Sequence, residues 1–176
     1  MKRVMVVDDE SSVLNALKRS LRREGWELQT FADPVVALNY ANREPVDLVI
    51  SDYRMPQMDG VTFLKEMRAI QPDAFRIVLS GQADMAGVLK AVNQAEIYRF
   101  ITKPWDDMEL RITIEQALNH RDLLLENRQL ADVVRQQQRQ INYQTTELER
   151  LEGDSPGITQ VNWGPDGSII LSEDDY

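Results

Sequence analysis

Four short apolar runs in this chain each end on a residue able to handle a phosphoryl group. Val4-Met5-Val6-Val7 leads into Asp8-Asp9, and Leu48-Val49-Ile50-Ser51 into Asp52. Ile77-Val78-Leu79 leads into Ser80, and Phe100-Ile101-Thr102 into Lys103-Pro104. Such β-branched runs, separated by stretches of helical period, read as parallel strands buried on both faces. In an open α/β sheet, sites form in the crevice beyond the carboxyl ends of the strands. Three carboxylates, a hydroxyl and an ammonium are therefore expected on one sheet edge. Taken singly, each residue has an ordinary explanation as a helix cap, a turn hydroxyl or a solvated strand end. Their shared placement in one repeat points instead to a divalent cation and a phosphate.

Residues 3 to about 120 alternate strand and helix signals five times. Strands are expected near 3–7, 27–31, 46–51, 75–80 and 98–102, and helices near 11–24, 34–43, 60–70, 84–95 and from 106 onward. Gly25 ends the first helix, while Asp33-Pro34 opens the second with proline in its first turn. Asp59-Gly60 opens the third, and Gln71-Pro72-Asp73 closes it. The connections are as short as βα units require. An α/β fold with a five-stranded, right-handed, doubly wound parallel sheet follows.

Charge and composition bound the function. The 176 residues carry a net charge of −9, which argues against a chain built mainly to bind nucleic acid or anionic lipid. Five acidic residues and no Lys or Arg fall between Gly153 and Tyr176, which leaves the rest only mildly acidic. Cysteine is absent, so disulfides and thiolate metal sites are excluded. No apolar stretch approaches the ~20 residues of a membrane span. Met1-Lys2-Arg3 leads straight into a short strand-like run with acidic residues behind it, unlike a signal peptide. A cytoplasmic protein is expected.

From Asp106 the helical pattern runs on without Gly or Pro until Gly153. A heptad frame places Leu123, Leu130, Gln137, Gln144 and Leu151 at d, with His120, Asn127, Val134, Ile141 and Leu148 at a. One helix alone would leave this seam in water. A parallel, in-register homodimer is the expected remedy, with Asn127 at a favouring two strands. Folding back or docking a partner are the alternatives. Arg121, Arg128, Arg135, Arg139 and Arg150 are spread around the helix and read as a solvated face. Three regions result: 1–120, a stalk over 121–152, and an acidic tail over 153–176. In the tail, Gly164-Pro165-Asp166-Gly167 is strong turn chemistry between two short arms and predicts a small β-hairpin, although a lone hairpin is only marginally stable.

The chemistry of the sheet edge can be specified. A carboxylate attacks an anionic phosphoryl group only when charge is neutralised, and Mg²⁺ suits a set of oxygen donors. Asp9 and Asp52 could bind it directly, with Asp8 acting through a water. Ser80 could donate to one phosphoryl oxygen and Lys103 neutralise another. The stretches Val6-Val7-Asp8-Asp9-Glu10, Ser51 to Gly60 (SDYRMPQMDG), Val78-Leu79-Ser80-Gly81 and Phe100-Ile101-Thr102-Lys103-Pro104 closely resemble the receiver domains of two-component response regulators, which have a flavodoxin-like fold. The resemblance covers about residues 1–120. It implies that Asp52 accepts a phosphoryl group from a histidine kinase or phosphotransfer protein. It further implies a Mg²⁺ pocket of Asp8, Asp9, Asp52 and the Arg54 backbone carbonyl. Ser80 and Phe100 take the switch positions, Phe100 standing where tyrosine is commoner, and Lys103 is the family's lysine, followed by a cis proline. Arg54 and Gln82, two residues after Asp52 and Ser80, flank the path of a hydrolytic water. Tyr98, two residues before Phe100, is expected to point the same way.

The resemblance implies a phosphoacceptor with slow autodephosphorylation at most, not an enzyme in its own right. The expected output is a dimeric stalk and tail contacting an unidentified downstream protein. Trp105, after Lys103-Pro104, resembles receivers attached to cyclic-dinucleotide phosphodiesterases and protein phosphatases. The alternative reading is therefore the regulatory amino-terminal half of such an enzyme. The acidic end, Ser172 to Tyr176, favours the first reading. A DNA-binding transcription factor is disfavoured by charge and by the lack of a helix-turn-helix segment.

Overall fold

The computed structural model describes residues 1–22, 25–81, 95–155 and 157. Five strands, β1 (Arg3–Val7), β2 (Glu27–Phe31), β3 (Leu48–Asp52), β4 (Phe75–Gly81) and β5 (Arg99–Lys103), form one sheet. Its order is β2-β1-β3-β4-β5, and every pairing is parallel. The helices are α1 (Ser11–Leu21), α2 (Pro34–Ala41), α3 (Gly60–Ile70) and α4 (Asp107–Asp154). The α/β doubly wound sheet and the long C-terminal helix are as expected. The helix expected over 84–95, all but its last residue, and the hairpin arms over 158–171 lie outside the described residues.

Strand alternation builds two cores. Met5, Val7, Val49 and Val78 face one way and pack with Phe63, Leu64 and Met67 of α3 and Ala37 and Ala41 of α2. Val4, Val6, Leu48, Ile50, Ile77 and Leu79 face the other, against Leu14, Leu17 and Leu21 of α1 and Leu110, Ile114, Ala117 and Leu118 of α4. Burying each such side chain contributes roughly 1.5–3 kcal/mol. Local signals set the helix starts. Asp33 accepts from the Val35 amide at 2.7 Å and caps α2, with Pro34 at its first position. Asp59 accepts from the Thr62 amide at 2.9 Å and caps α3. Asp106 Oδ1 accepts from the amides of Met108 and Glu109, both at 2.9 Å, just ahead of α4.

Two compact units divide the chain, Met1–Glu126 and Asn127–Tyr176. The first holds the whole sheet and the beginning of α4. Three expectations are corrected there. Arg121 is not on a solvated face: its side chain is only 14% exposed, and it donates to the Asp73 carbonyl at 2.9 Å and pairs with Asp47 at 2.8 Å. Lys2 pairs with the neighbouring Asp122. Tertiary partners, absent from a helical-wheel argument, decide this. His120 does not serve the seam, because its ring meets Phe75 and Tyr98 edge-on at 5.5 and 5.6 Å. Tyr98 does not point with Phe100; it packs on the α1/α4 side, and Phe100 on the α2/α3 side. Tyr98 precedes the first residue of β5 and follows Glu96, whose φ is +47°, so strand alternation does not reach it.

In the second unit α4 continues to Asp154 as an amphipathic helix. Leu130, Val134, Ile141 and Leu148 are more than half exposed, and Leu151 is also exposed. Its ion pairs are local and solvated: Arg135 with Asp132 at 3.0 Å, and Arg150 with Glu147 at 2.7 Å and Asp154 at 3.2 Å. Exposed pairs of this kind contribute little, a few tenths of a kcal/mol each.

Candidate phosphoryl site at the sheet edge

Strand register assembles the site. β1 and β3 are neighbours with Val7 opposite Ser51, so Asp8 emerges beside Asp52. Asp52 lies opposite Leu79 on β4, and Ser80 and Gly81 lie opposite Thr102 and Lys103 on β5. The chain order reverses around β1 and β3, the place where open α/β sheets leave a crevice.

One cation joins two acids at that crevice. Lys103 Nζ lies 2.7 Å from Asp8 Oδ2 and 2.5 Å from Asp52 Oδ1. Asp8 is fully buried, and its other oxygen accepts from the Glu10 amide at 2.8 Å. Asp52 is buried too, and its Oδ2 accepts from the Arg54 amide at 2.8 Å. Burial pushes the Asp8 carboxyl up from the ordinary range, and the bonds from Lys103 and the Glu10 amide offset this only in part. Burial pulls the Lys103 ammonium down, but hydrogen bonds to Asp52 and Asp8 outweigh it, and the net direction is upward. The lysine therefore stays charged at neutral pH, and a buried ion pair of this kind needs all its hydrogen bonds.

The remaining expected residues divide. Asp9, which follows Asp8 beyond the end of β1, is exposed. Ser80 is buried, and its hydroxyl donates to the Gly81 carbonyl at 3.1 Å, not to Asp52. Phe100 is half-buried against the α2/α3 core. Arg54 is exposed, and Gln82 lies outside the described residues. The Lys103–Pro104 peptide is cis. Among the described residues no three Asp, Glu, His or Cys side chains stand close enough together to hold a metal ion as they are. Leu123, Asn127, Leu130, Val134, Ile141, Leu148 and Leu151 are all exposed along α4.

Sequence reading overlooked several contacts. Trp105 Nε1 donates to Asp107 Oδ1 at 3.2 Å, and Ser20 Oγ donates to the same oxygen at 2.6 Å, which ties the loop after Lys103 to α1. Ser51 Oγ donates to the Asp52 carbonyl at 2.9 Å. With the Gln57 amide oriented nitrogen toward Asp33, it lies 3.1 and 3.2 Å from the two carboxylate oxygens, bridging the loops after β2 and β3. The capping role of Asp33 was legible in sequence; its second partner was not.

The family profile of the response regulator receiver domain matches residues 4–115. The hydrogenase transcriptional regulatory protein HoxA of Cupriavidus necator is 40% identical over 120 residues, 68% of this chain and 25% of that protein. The chain spans about a quarter of the length of the curated relatives it matches. The signal receiver domain of an HD domain-containing protein from Pseudomonas fluorescens is 38% identical, with a TM-score of 0.66. That match covers 69% of this chain and 97% of that one. A structure titled adenylate cyclase from Rhodopirellula baltica is 30% identical, with a TM-score of 0.70, covering 74% and 97%. Both HoxA and other curated relatives are named as transcriptional regulators, so their names do not support an expectation that nucleic acid plays no part. No helix among the described residues is long and apolar enough to cross a membrane. With its profile match, its sheet order and its paired acids, the chain belongs to the response regulator receiver domain family.

Proposed function

We propose that this chain is a cytoplasmic phosphorylation switch in which Asp52 accepts a phosphoryl group from a histidine kinase or phosphotransfer protein. The observation that carries the reading is the Lys103 ammonium shared between buried Asp8 and Asp52 at the carboxyl edge of the sheet. The donor set suits Mg²⁺, because only hard oxygens, from carboxylates and a backbone carbonyl, are offered. Two buried carboxylates, Asp8 and Asp52, share one ammonium, with exposed Asp9 next in sequence, and a divalent ion would balance the remaining negative charge. Asp8, Asp9, Asp52 and the Arg54 carbonyl would hold the ion. When bound, it supplies charge neutralisation for attack by a carboxylate on an anionic group.

The chain's own residues then divide the work. Arg54's amide fixes Asp52 Oδ2, and Lys103 holds Oδ1. Once Asp52 is modified, Lys103 can neutralise a phosphoryl oxygen and Ser80 can exchange its Gly81 partner for another. Movement of Ser80 frees space for Phe100, and only a few kcal/mol need separate the two states. Arg54 and Gln82 tune the hydrolytic water, so the chain is no enzyme beyond slow autodephosphorylation. Arg54→Ala should change the decay rate of the phosphorylated form without abolishing labelling. The exposed seam pairs two copies in parallel, and the stalk and tail signal to a downstream protein.

Labelling by a small acyl phosphate tests the acceptor role. It should require Mg²⁺ and fail in Asp52→Asn; equal labelling of that variant and the wild type would sink the assignment. A second reading is favoured by the length of the relatives and by the similar receiver domain that belongs to an HD domain-containing protein. In it, the chain is the regulatory piece of a larger signalling protein.

A further inference from the structure

We propose that Ser51 and Gly60 are positioning residues that fix the main chain of Asp52 and thereby aim its carboxylate. This rests on the phosphoryl-acceptor reading of Asp52 and adds what holds the acceptor in place. The peptide after Asp52 is held at both its carbonyl and its amide. Ser51, fully buried, donates its hydroxyl to the Asp52 carbonyl at 2.9 Å. The Tyr53 amide donates to the Leu79 carbonyl at 2.8 Å, and the Tyr53 carbonyl accepts from the Gly60 amide at 2.9 Å. A Cβ on Gly60 would stand 2.0 Å from the Asp52 carbonyl oxygen and 2.9 Å from its carbon.

Gly60 is therefore required for space and not for a left-handed backbone; among the described glycines only Gly157 has a positive φ. Asp59 caps α3, so the helix could start here with any small residue at its first position. Only glycine lets that first turn press against the carbonyl of the acceptor. Relief of a 2.0 Å contact, made against backbone, needs a shift of more than 1 Å in β3 or α3. Carboxylate geometry at Asp52 depends on the same peptide, because Oδ2 is bonded to the Arg54 amide two residues on. A displacement of about 1 Å at a reacting centre costs on the order of a hundredfold in rate.

The test compares wild type, Gly60→Ala, Ser51→Ala and Asp59→Ala, labelled with acetyl phosphate at fixed Mg²⁺. Acetyl phosphate concentration is varied to separate kcat from KM, and circular dichroism checks the fold. Gly60→Ala should lower kcat by roughly a hundredfold. Ser51→Ala should lower it by about two- to tenfold, as the loss of one hydrogen bond permits. Asp59→Ala, which removes the helix cap and leaves the carbonyl contact, should melt earlier with kcat and KM unchanged. Wild-type kcat in folded Gly60→Ala and Ser51→Ala overturns the proposal. If Gly60→Ala does not fold, unchanged kcat in folded Ser51→Ala overturns it alone. Failure of the wild type to label, or equal labelling of Asp52→Asn, instead defeats the acceptor reading on which the proposal rests.

Discussion

Helix α4 uses the same kinds of residue in two opposite ways. In the first unit, Leu110, Ile114, Ala117 and Leu118 lie buried against the sheet. In the second, Leu130, Val134, Ile141 and Leu148 repeat at heptad spacing and remain in contact with water. Helical propensity does not distinguish the two stretches. What differs is the partner: the first has β1, β3 and β4 beneath it, and the second has no described partner within the chain. An exposed apolar seam of this length marks an interaction surface. The receiver unit thus buries its apolar residues within one copy, whereas the distal helix leaves its seam exposed among the described residues.

Removing the distal helix should have the largest effect. Truncation after Glu126 should turn a dimer into a monomer, read by light scattering, and leave a folded receiver. The cut falls beyond Arg121 and Asp122, whose pairs with Asp47 and Lys2 belong to the first unit. A monomeric full-length chain at tens of micromolar would remove the coiled-coil stalk from the account.

Substitution of equivalent isoleucines sharpens the contrast. Ile114→Ala, in the receiver core, should cost about 2–5 kcal/mol in chemical denaturation. Ile141→Ala should leave receiver unfolding unchanged and weaken association instead. Equal losses of receiver stability would show that the two stretches are not independent.

A smaller effect belongs to the cap of α3. Asp59→Ala should cost about 1 kcal/mol, as for other helix caps. Burial tends to raise the Asp59 carboxyl, but its bonds from Thr62 and Val61 outweigh this and hold it below the ordinary range. A carboxyl held low in the folded state stabilises above its unfolded pKa, and the contribution is lost as pH falls through the folded one. The stability gap between wild type and Asp59→Ala should therefore close below the usual carboxylate range. A gap independent of pH down to the acid transition would contradict the cap.

The receiver was legible because two periodicities and the strand-end residues agree. Continuous apolar runs, capped helices and short connections left one sheet topology, and the structure moves strand ends by only one or two residues. The acids and lysine of the site were legible for the same reason: strand ends converge by topology. Contacts that depend on neighbours distant in sequence were not. Arg121 reads as a solvated arginine on a wheel, yet Asp47 and Asp73 reach it from loops before β3 and β4. Tyr98 reads as a strand residue in register with Phe100, yet it stands outside β5. Gly60 reads as a helix opening, and its contact with the Asp52 carbonyl appears only when α3 is folded onto β3.

If the chemistry belongs wholly to the first unit, it should survive without the second. The decisive measurement is the rate and site of labelling by acetyl phosphate with Mg²⁺, compared between the full chain and the chain ending at Glu126, with the modified residue mapped by peptide mass spectrometry. The account predicts equal rates and Asp52 as the only modified residue in both. Labelling at another residue, or loss of labelling on truncation, would contradict it.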